Sequence, residues 1–163
     1  MAKAKIYLDT SVINFLFADD APEKMEITKD FFANFITTGI YESFISAVVV
    51  QEINNTIDND KREKLLGCIS KYHLAFTEIN NIEETERLAN LYIDRGIIPA
   101  SKVADALHIA ISTMANFDYL VSWNYKHLAN VNREKKILAV NMQENYFHPL
   151  RIITPLELID YGN

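Results

Sequence analysis

Two hydrophobic textures alternate along the chain. Short unbroken apolar runs predict strands buried on both faces, and longer stretches with apolar positions three and four apart predict amphipathic helices. The first run, Ile6-Tyr7-Leu8, stops at Asp9 and is followed by Thr10, Ser11, Val12 and Ile13. Thr10 or Ser11 is suited to cap a short helix reaching Phe17. Asp9 at this junction reads in two ways, as a cap or turn residue or as a carboxylate standing beyond the end of a parallel strand, where ligands of open α/β sheets sit.

The same reading continues down the chain. Residues 23–38 predict a helix with Met25, Ile27, Phe31, Phe32, Phe35 and Ile36 on one broad face, stopped by Gly39. Residues 41–45 predict a strand, and Ser46 a cap for a helix that carries Val49, Val50, Ile53 and Ile57 on one side and Glu52 within its first two turns. A charged helix over 60–72 and a weaker strand over 73–79 follow. Residues 82–95 predict an amphipathic helix with Leu88, Leu91 and Tyr92 inward, ended by Gly96 and Pro99. Ser101 is the expected cap of the next helix. Its packing stripe is Val103, Ala106, Leu107, Ala110 and Met114, with Asp105 off the stripe. Residues 119–122 predict a strand leading into Trp123 and Asn124, Asn132 a cap for a helix to about 145, and residues 151–154 a last strand. Thr154-Pro155-Leu156-Glu157 has the capping-box pattern of a closing helix. Strands alternating with helices imply a parallel sheet layered by helices.

Composition narrows the class. A chain of 163 residues with 49% apolar content, four Gly and four Pro suits one ordered, helix-rich domain spanning residues 1–163. The single Cys68 permits no internal disulfide, and no zinc-type Cys/His cluster is present, which fits a reducing cytoplasm. The first residues lack a signal-peptide apolar core, and no run approaches the roughly 18 apolar residues that a membrane span requires. A net charge of −6 argues against a protein that coats nucleic acid generally. It leaves open a nuclease whose acidic centre meets phosphate through a cation.

Three acids stand out by placement, Asp9 at a strand end and Glu52 and Asp105 in early helical turns. Early turns favour carboxylates through the helix dipole, by a few tenths to about 1 kcal/mol, so each has an ordinary explanation. Gathered at one end of a sheet they would repel unless a cation neutralised them. A hard divalent ion, Mg²⁺ or Mn²⁺, suits a few carboxylates, keeps several waters and leaves room for phosphate.

LDTSV at 8–12, the Glu of VVVQEI at 48–53, DALHIA at 105–110 and LVSWN at 120–124 together resemble PIN-domain proteins, including the VapC-type toxin ribonucleases of toxin–antitoxin pairs. The resemblance spans nearly the whole chain in the right order. It implies a three-layer α/β/α fold around a central parallel sheet of four to five strands, and a metal-dependent endoribonuclease with Asp9, Glu52 and Asp105 as metal ligands. Where the family often has a fourth acid this chain has Asn124, which coordinates or orients water without adding charge. That departure puts a second ion in question. Thr10 or Ser11 resembles the hydroxyl that follows the first Asp, set to orient Asp9 or touch phosphate. Lys102, Lys126 and His127 are candidate RNA contacts, though a solvated loop is the simpler account of Lys126 and His127, and Lys102 is a similar case. An RNA substrate, an antitoxin partner and a homodimer are implied; a membrane is not.

Other residues carry weaker signals. His108 lies one turn beyond Asp105, yet a helical His beside an apolar stripe is more often packed and hydrogen-bonded. Trp123 is placed to stack a base, but a lone Trp at a strand end is more often core. Arg133, Lys135 and Lys136 form the densest basic cluster, which on a helix is usually a solvated face. Asp118 is a turn residue and the nearest acid to compensate for Asn124. Two rival readings remain. One is a catalytically weak PIN-like module binding RNA or protein, favoured by Asn124. The other is a phosphatase with Asp9 as nucleophile, disfavoured because Ser11 stands where a paired Asp would be expected.

Overall fold

The computed structural model describes residues 2–124 and 130–162. The central strand β1 (Lys5–Leu8) is apolar without alternation because both of its faces are covered, and Ile6, Tyr7 and Leu8 are fully buried. It pairs with β2 (Glu42–Ile45) on one side and β4 (Tyr119–Val121) on the other. The short β3 (Ala75–Phe76) and β5 (Arg151–Ile153) form the edges, giving the order β3-β2-β1-β4-β5 with every pairing parallel. The chain steps outward from β1 to β2 and β3, then crosses back to place β4 on the opposite flank. The strand order therefore reverses between β1 and β4, where ligand crevices form beyond the carboxyl ends of strands.

Helices cover the sheet in a three-layer α/β/α arrangement: α1 (Thr10–Asn14), α2 (Pro22–Phe31), α3 (Ala47–Asn54), α4 (Asn59–Lys71), α5 (Ile82–Asp94), α6 (Val103–Met114), α7 (Val131–Gln143) and α8 (Pro155–Gly162). Helix α5 packs along α6, and α2 against α8. Gly39 and Gly96 end their helices at φ +72° and +71°, the left-handed conformation that makes glycine the usual stop. None of the helices is long and apolar enough to cross a membrane among the described residues.

Several boundaries differ from those expected. The predicted helix over 23–38 opens into a wider π turn at Phe32–Ile36, where both the amide and the hydroxyl of Thr37 donate to the Phe32 carbonyl at 2.9 Å. The cap of α1 is Asp9 itself, not Thr10 or Ser11. Asp58 caps α4 and Asn130 caps α7, where Asn132 was expected. Helix α6 starts after Lys102 with no side-chain cap, so Ser101 does not serve as one, and Val103 faces solvent rather than joining the packing stripe. Ile57 falls beyond α3 and is exposed, because the helix has already ended at Asn54. Strand 73–79 shrinks to two residues: Leu74 is buried just before them, and Phe76 is exposed on the sheet edge.

Candidate functional site

Beyond the carboxyl ends of β1 and β4 lies a cleft of about 390 Å³ lined by Asp9, Thr10, Ser11, Asn14, Glu52, Ser101, Lys102, Ala104, Asp105, His108 and Asn124. Asp9 comes from the end of β1, Glu52 from α3, Asp105 and His108 from α6, and Asn124 from the residues after β4. Lys102 sits on the rim, at the start of α6.

Asp9 is both cap and cleft carboxylate. Its Oδ1 accepts from the Val12 amide at 3.3 Å and from Ser11 Oγ at 2.5 Å, while Oδ2 accepts from Ser122 Oγ at 2.5 Å. The two serines are themselves fixed by the chain leaving β4. The Trp123 amide donates to Ser11 Oγ and the Asn124 amide to Ser122 Oγ, both at 2.9 Å, so each hydroxyl proton is left pointing at Asp9. Burial pushes the Asp9 carboxyl up to about 6. The nearby His108 ring and the two serine hydrogen bonds pull it down, and the charge of Asp105 adds to the rise.

Glu52 is held from its own side of the cleft. Its Oε1 accepts from Thr10 Oγ1 at 2.6 Å and lies 2.6 Å from His108 Nε2. Burial acts to raise the Glu52 carboxyl, but its hydrogen bonds with His108 and Thr10 bring it below the usual value. Asn124 Nδ2 donates to Asp105 Oδ2 at 2.9 Å.

The structure therefore brings Asp9, Thr10, Ser11, Glu52, Lys102, Asp105 and Asn124 together. Ser11 orients Asp9 while Thr10 holds Glu52, a division of labour between two adjacent hydroxyls. Lys126 and His127 lie outside the described residues. Trp123 is core: it is buried against Phe15, with Nε1 donating to Thr28 Oγ1 at 2.8 Å, so it offers no face to a base. Asp118 lies at the opposite end of β4, bonded to the Lys5 amide and His148, and does not compensate for Asn124. Lys135 and Lys136 are exposed on α7 and do not line the cleft.

Sequence reasoning missed Ser122 and Tyr7. Leu8 pairs with Val121, so Asp9 and Ser122 leave the sheet side by side. That neighbour relation spans 113 residues and is not visible in local spacing. Tyr7 carried a usable signal, since it lies two residues before Asp9 on the same face of β1.

The oxygen-rich donor set suits a hard cation. Among the described residues, however, no three His, Cys, Asp or Glu side chains are close enough together to form a ready-made ligand set. With Asp9 and Glu52 already clamped by hydroxyls and His108, a cation held here would be a hydrated one, with one or two carboxylates as direct ligands and the others reaching it through water.

No protein-family model matches the chain, and no curated protein matches it. Among solved structures it is similar to a chain of VapBC2 from Rickettsia felis, determined bound to a DNA fragment from their promoter. The match has a TM-score of 0.55 at 14% identity and covers 92% of this chain and 98% of that one. The fold is thus PIN-like, with a five-stranded parallel sheet.

Proposed function

We propose that the protein is a divalent-metal-dependent endoribonuclease, the toxin half of a toxin–antitoxin pair. The observation that carries this reading is the convergence of Asp9, Glu52, Asp105 and Asn124 on one cleft at the switch point of a PIN-like sheet. Asp9 and Asp105 supply carboxylate oxygens for Mg²⁺ or Mn²⁺. Glu52 offers Oε2, since Oε1 is engaged. A cation bound there supplies a water of lowered pKa and positive charge for the phosphodiester oxygens. Lys102 on the rim neutralises an RNA phosphate, and Ser11 and Ser122 keep Asp9 from turning away. The overall negative charge favours a defined, structured RNA reached through a local basic rim, so equal cutting of all RNAs would contradict it.

An antitoxin belongs to the same proposal. Leu16, Phe17 and Tyr72 form an apolar floor flanked by Lys29, Lys64 and Lys71, suited to an acidic amphipathic segment. A homodimer is also expected, giving about twice the 18.7 kDa chain mass in sedimentation. The direct test is incubation of a mixed RNA pool with Mn²⁺, Mg²⁺ or chelator. Discrete cuts are expected with metal only, and cutting that persists in chelator sinks the reading.

The second reading, an RNA- or protein-binding module with little catalysis, is favoured by the neutral Asn124 donating to Asp105. Asn124→Asp separates the two. In a nuclease, wild type already cuts and the variant changes the rate by less than about tenfold. In a binding module, wild type holds RNA uncut and the variant gains cleavage.

A further inference from the structure

We infer that His108 is a positioning residue for Glu52, anchored through Tyr7 and Ser46, and that it leaves Glu52 Oε2 as the oxygen offered to the cleft. This rests on the metal-dependent reading above. His108 is 1% exposed, so its ring has no freedom to serve solvent or RNA. Its Nδ1 lies 2.6 Å from the Tyr7 hydroxyl, which lies 2.7 Å from Ser46 Oγ, and Ser46 Oγ accepts from the Val48 amide at 3.2 Å.

One proton arrangement satisfies every bond of this chain, with the Ser46 and Tyr7 hydroxyls each accepting one bond and donating one. The Val48 amide donates to Ser46, Ser46 to Tyr7, Tyr7 to His108 Nδ1, and His108 Nε2 to Glu52 Oε1. The chain closes on itself, because Ser46 caps α3 and α3 carries Glu52. Glu52 is thereby fixed at the root of its helix and at the tip of its side chain by the same buried network. Partners of this kind, one bond removed from a ligand oxygen, typically change metal affinity or activity by about 10- to 100-fold when removed.

Mn²⁺ affinity, followed by electron paramagnetic resonance of the free ion, tests this without reference to cleavage. His108→Leu is expected to weaken Mn²⁺ binding by about 10- to 100-fold, Glu52→Gln at least as much, and Tyr7→Phe by several-fold. His108→Gln, whose amide N–H reaches toward Glu52 as Nε2–H does, should recover most of the loss; a residue needed only to fill the core would not show this rescue. If His108→Leu fails to fold, Tyr7→Phe decides, since it keeps the ring contacts to Phe117 and His108 and loses only the hydroxyl. Wild-type affinity in His108→Leu or Tyr7→Phe, with affinity lost in Glu52→Gln, overturns the positioning role and leaves the nuclease reading standing. No Mn²⁺ binding by the wild type removes the metal reading and the positioning role with it, and full binding by Glu52→Gln overturns the positioning role while Asp9 and Asp105 still hold the ion.

Discussion

Asp9→Asn is expected to abolish RNA cleavage, by about two to three orders of magnitude, while the folded protein at pH 8 becomes more stable. The loss follows from removing the one carboxylate that stands at the end of the central strand with both oxygens oriented. The gain follows from what that carboxylate costs. Burial holds its pKa near 6 against an ordinary value of 3.8, so keeping it ionised opposes folding by an amount on the order of 3 kcal/mol. The amide forfeits something in return. Ser11 and Ser122 both donate to Asp9, and one of them must turn so that the Asn Nδ2 can donate instead. Rebuilding one such bond costs about 1 kcal/mol, which leaves a net gain of about 1–2 kcal/mol, a rise of a few degrees in melting temperature. Cleavage assays and thermal unfolding on the same preparation decide it. Undiminished cleavage places the chemistry elsewhere, and a fall in melting temperature means Asp9 is there to stabilise the fold.

That conflict between stability and chemistry also explains which parts of the site were legible. Ile6-Tyr7-Leu8 could be read as a buried strand because a strand covered on both faces must be apolar without alternation. A carboxylate directly after such a strand lands at the sheet's carboxyl edge whatever the rest of the chain does. Glu52 was legible for a related reason, since α3 follows strand β2 and begins at that same edge. Asp105 sits on α6, which follows α5 and leads into β4, so only its place in an early helical turn pointed to it. The sequence posed cap and cleft carboxylate as alternatives for Asp9, and the structure makes it both.

The illegible parts depend on which strands become neighbours. Ser122 orients Asp9 only because β4 pairs with β1 after a crossover of more than 100 residues. His108 lay within the predicted helix, yet its partner on β1 could not be assigned before α6 was docked over Tyr7. Caps were misread by one or two residues at α1, α6 and α7, where neighbouring hydroxyl and amide residues all satisfy the local rule. At α1 the winner is Asp9, fixed by β1 ending at Leu8.

The stability of the metal-free protein should fall as pH rises from about 4 to about 6, and divalent metal should restore it only above that window. Below 3.8 the Asp9 carboxyl is protonated in both folded and unfolded chains, so its contribution is fully present. Between 3.8 and about 6 the unfolded chain releases a proton that the folded chain retains, and stability drains by an amount on the order of 3 kcal/mol. Glu52, lowered by its hydrogen bonds, runs the other way: its contribution is present above its ordinary pKa and is lost in acid. The loss due to Asp9 is therefore clearest in the upper half of the window, where Glu52 has largely finished titrating in both states. A cation bound to Asp9 favours the ionised form, so Mg²⁺ at about 100 times its dissociation constant should add about 2.7 kcal/mol at pH 8, or roughly 5–10 °C. At pH 5 the ion must first displace a proton, and the increment should shrink to a small part of that. The single Trp123, buried and bonded to Thr28, gives an intrinsic fluorescence signal for the scans. Equal increments at pH 5 and pH 8, or an increment that survives in Asp9→Asn, would show that the ion binds without Asp9. The carboxylate's cost to the fold would then need a different use.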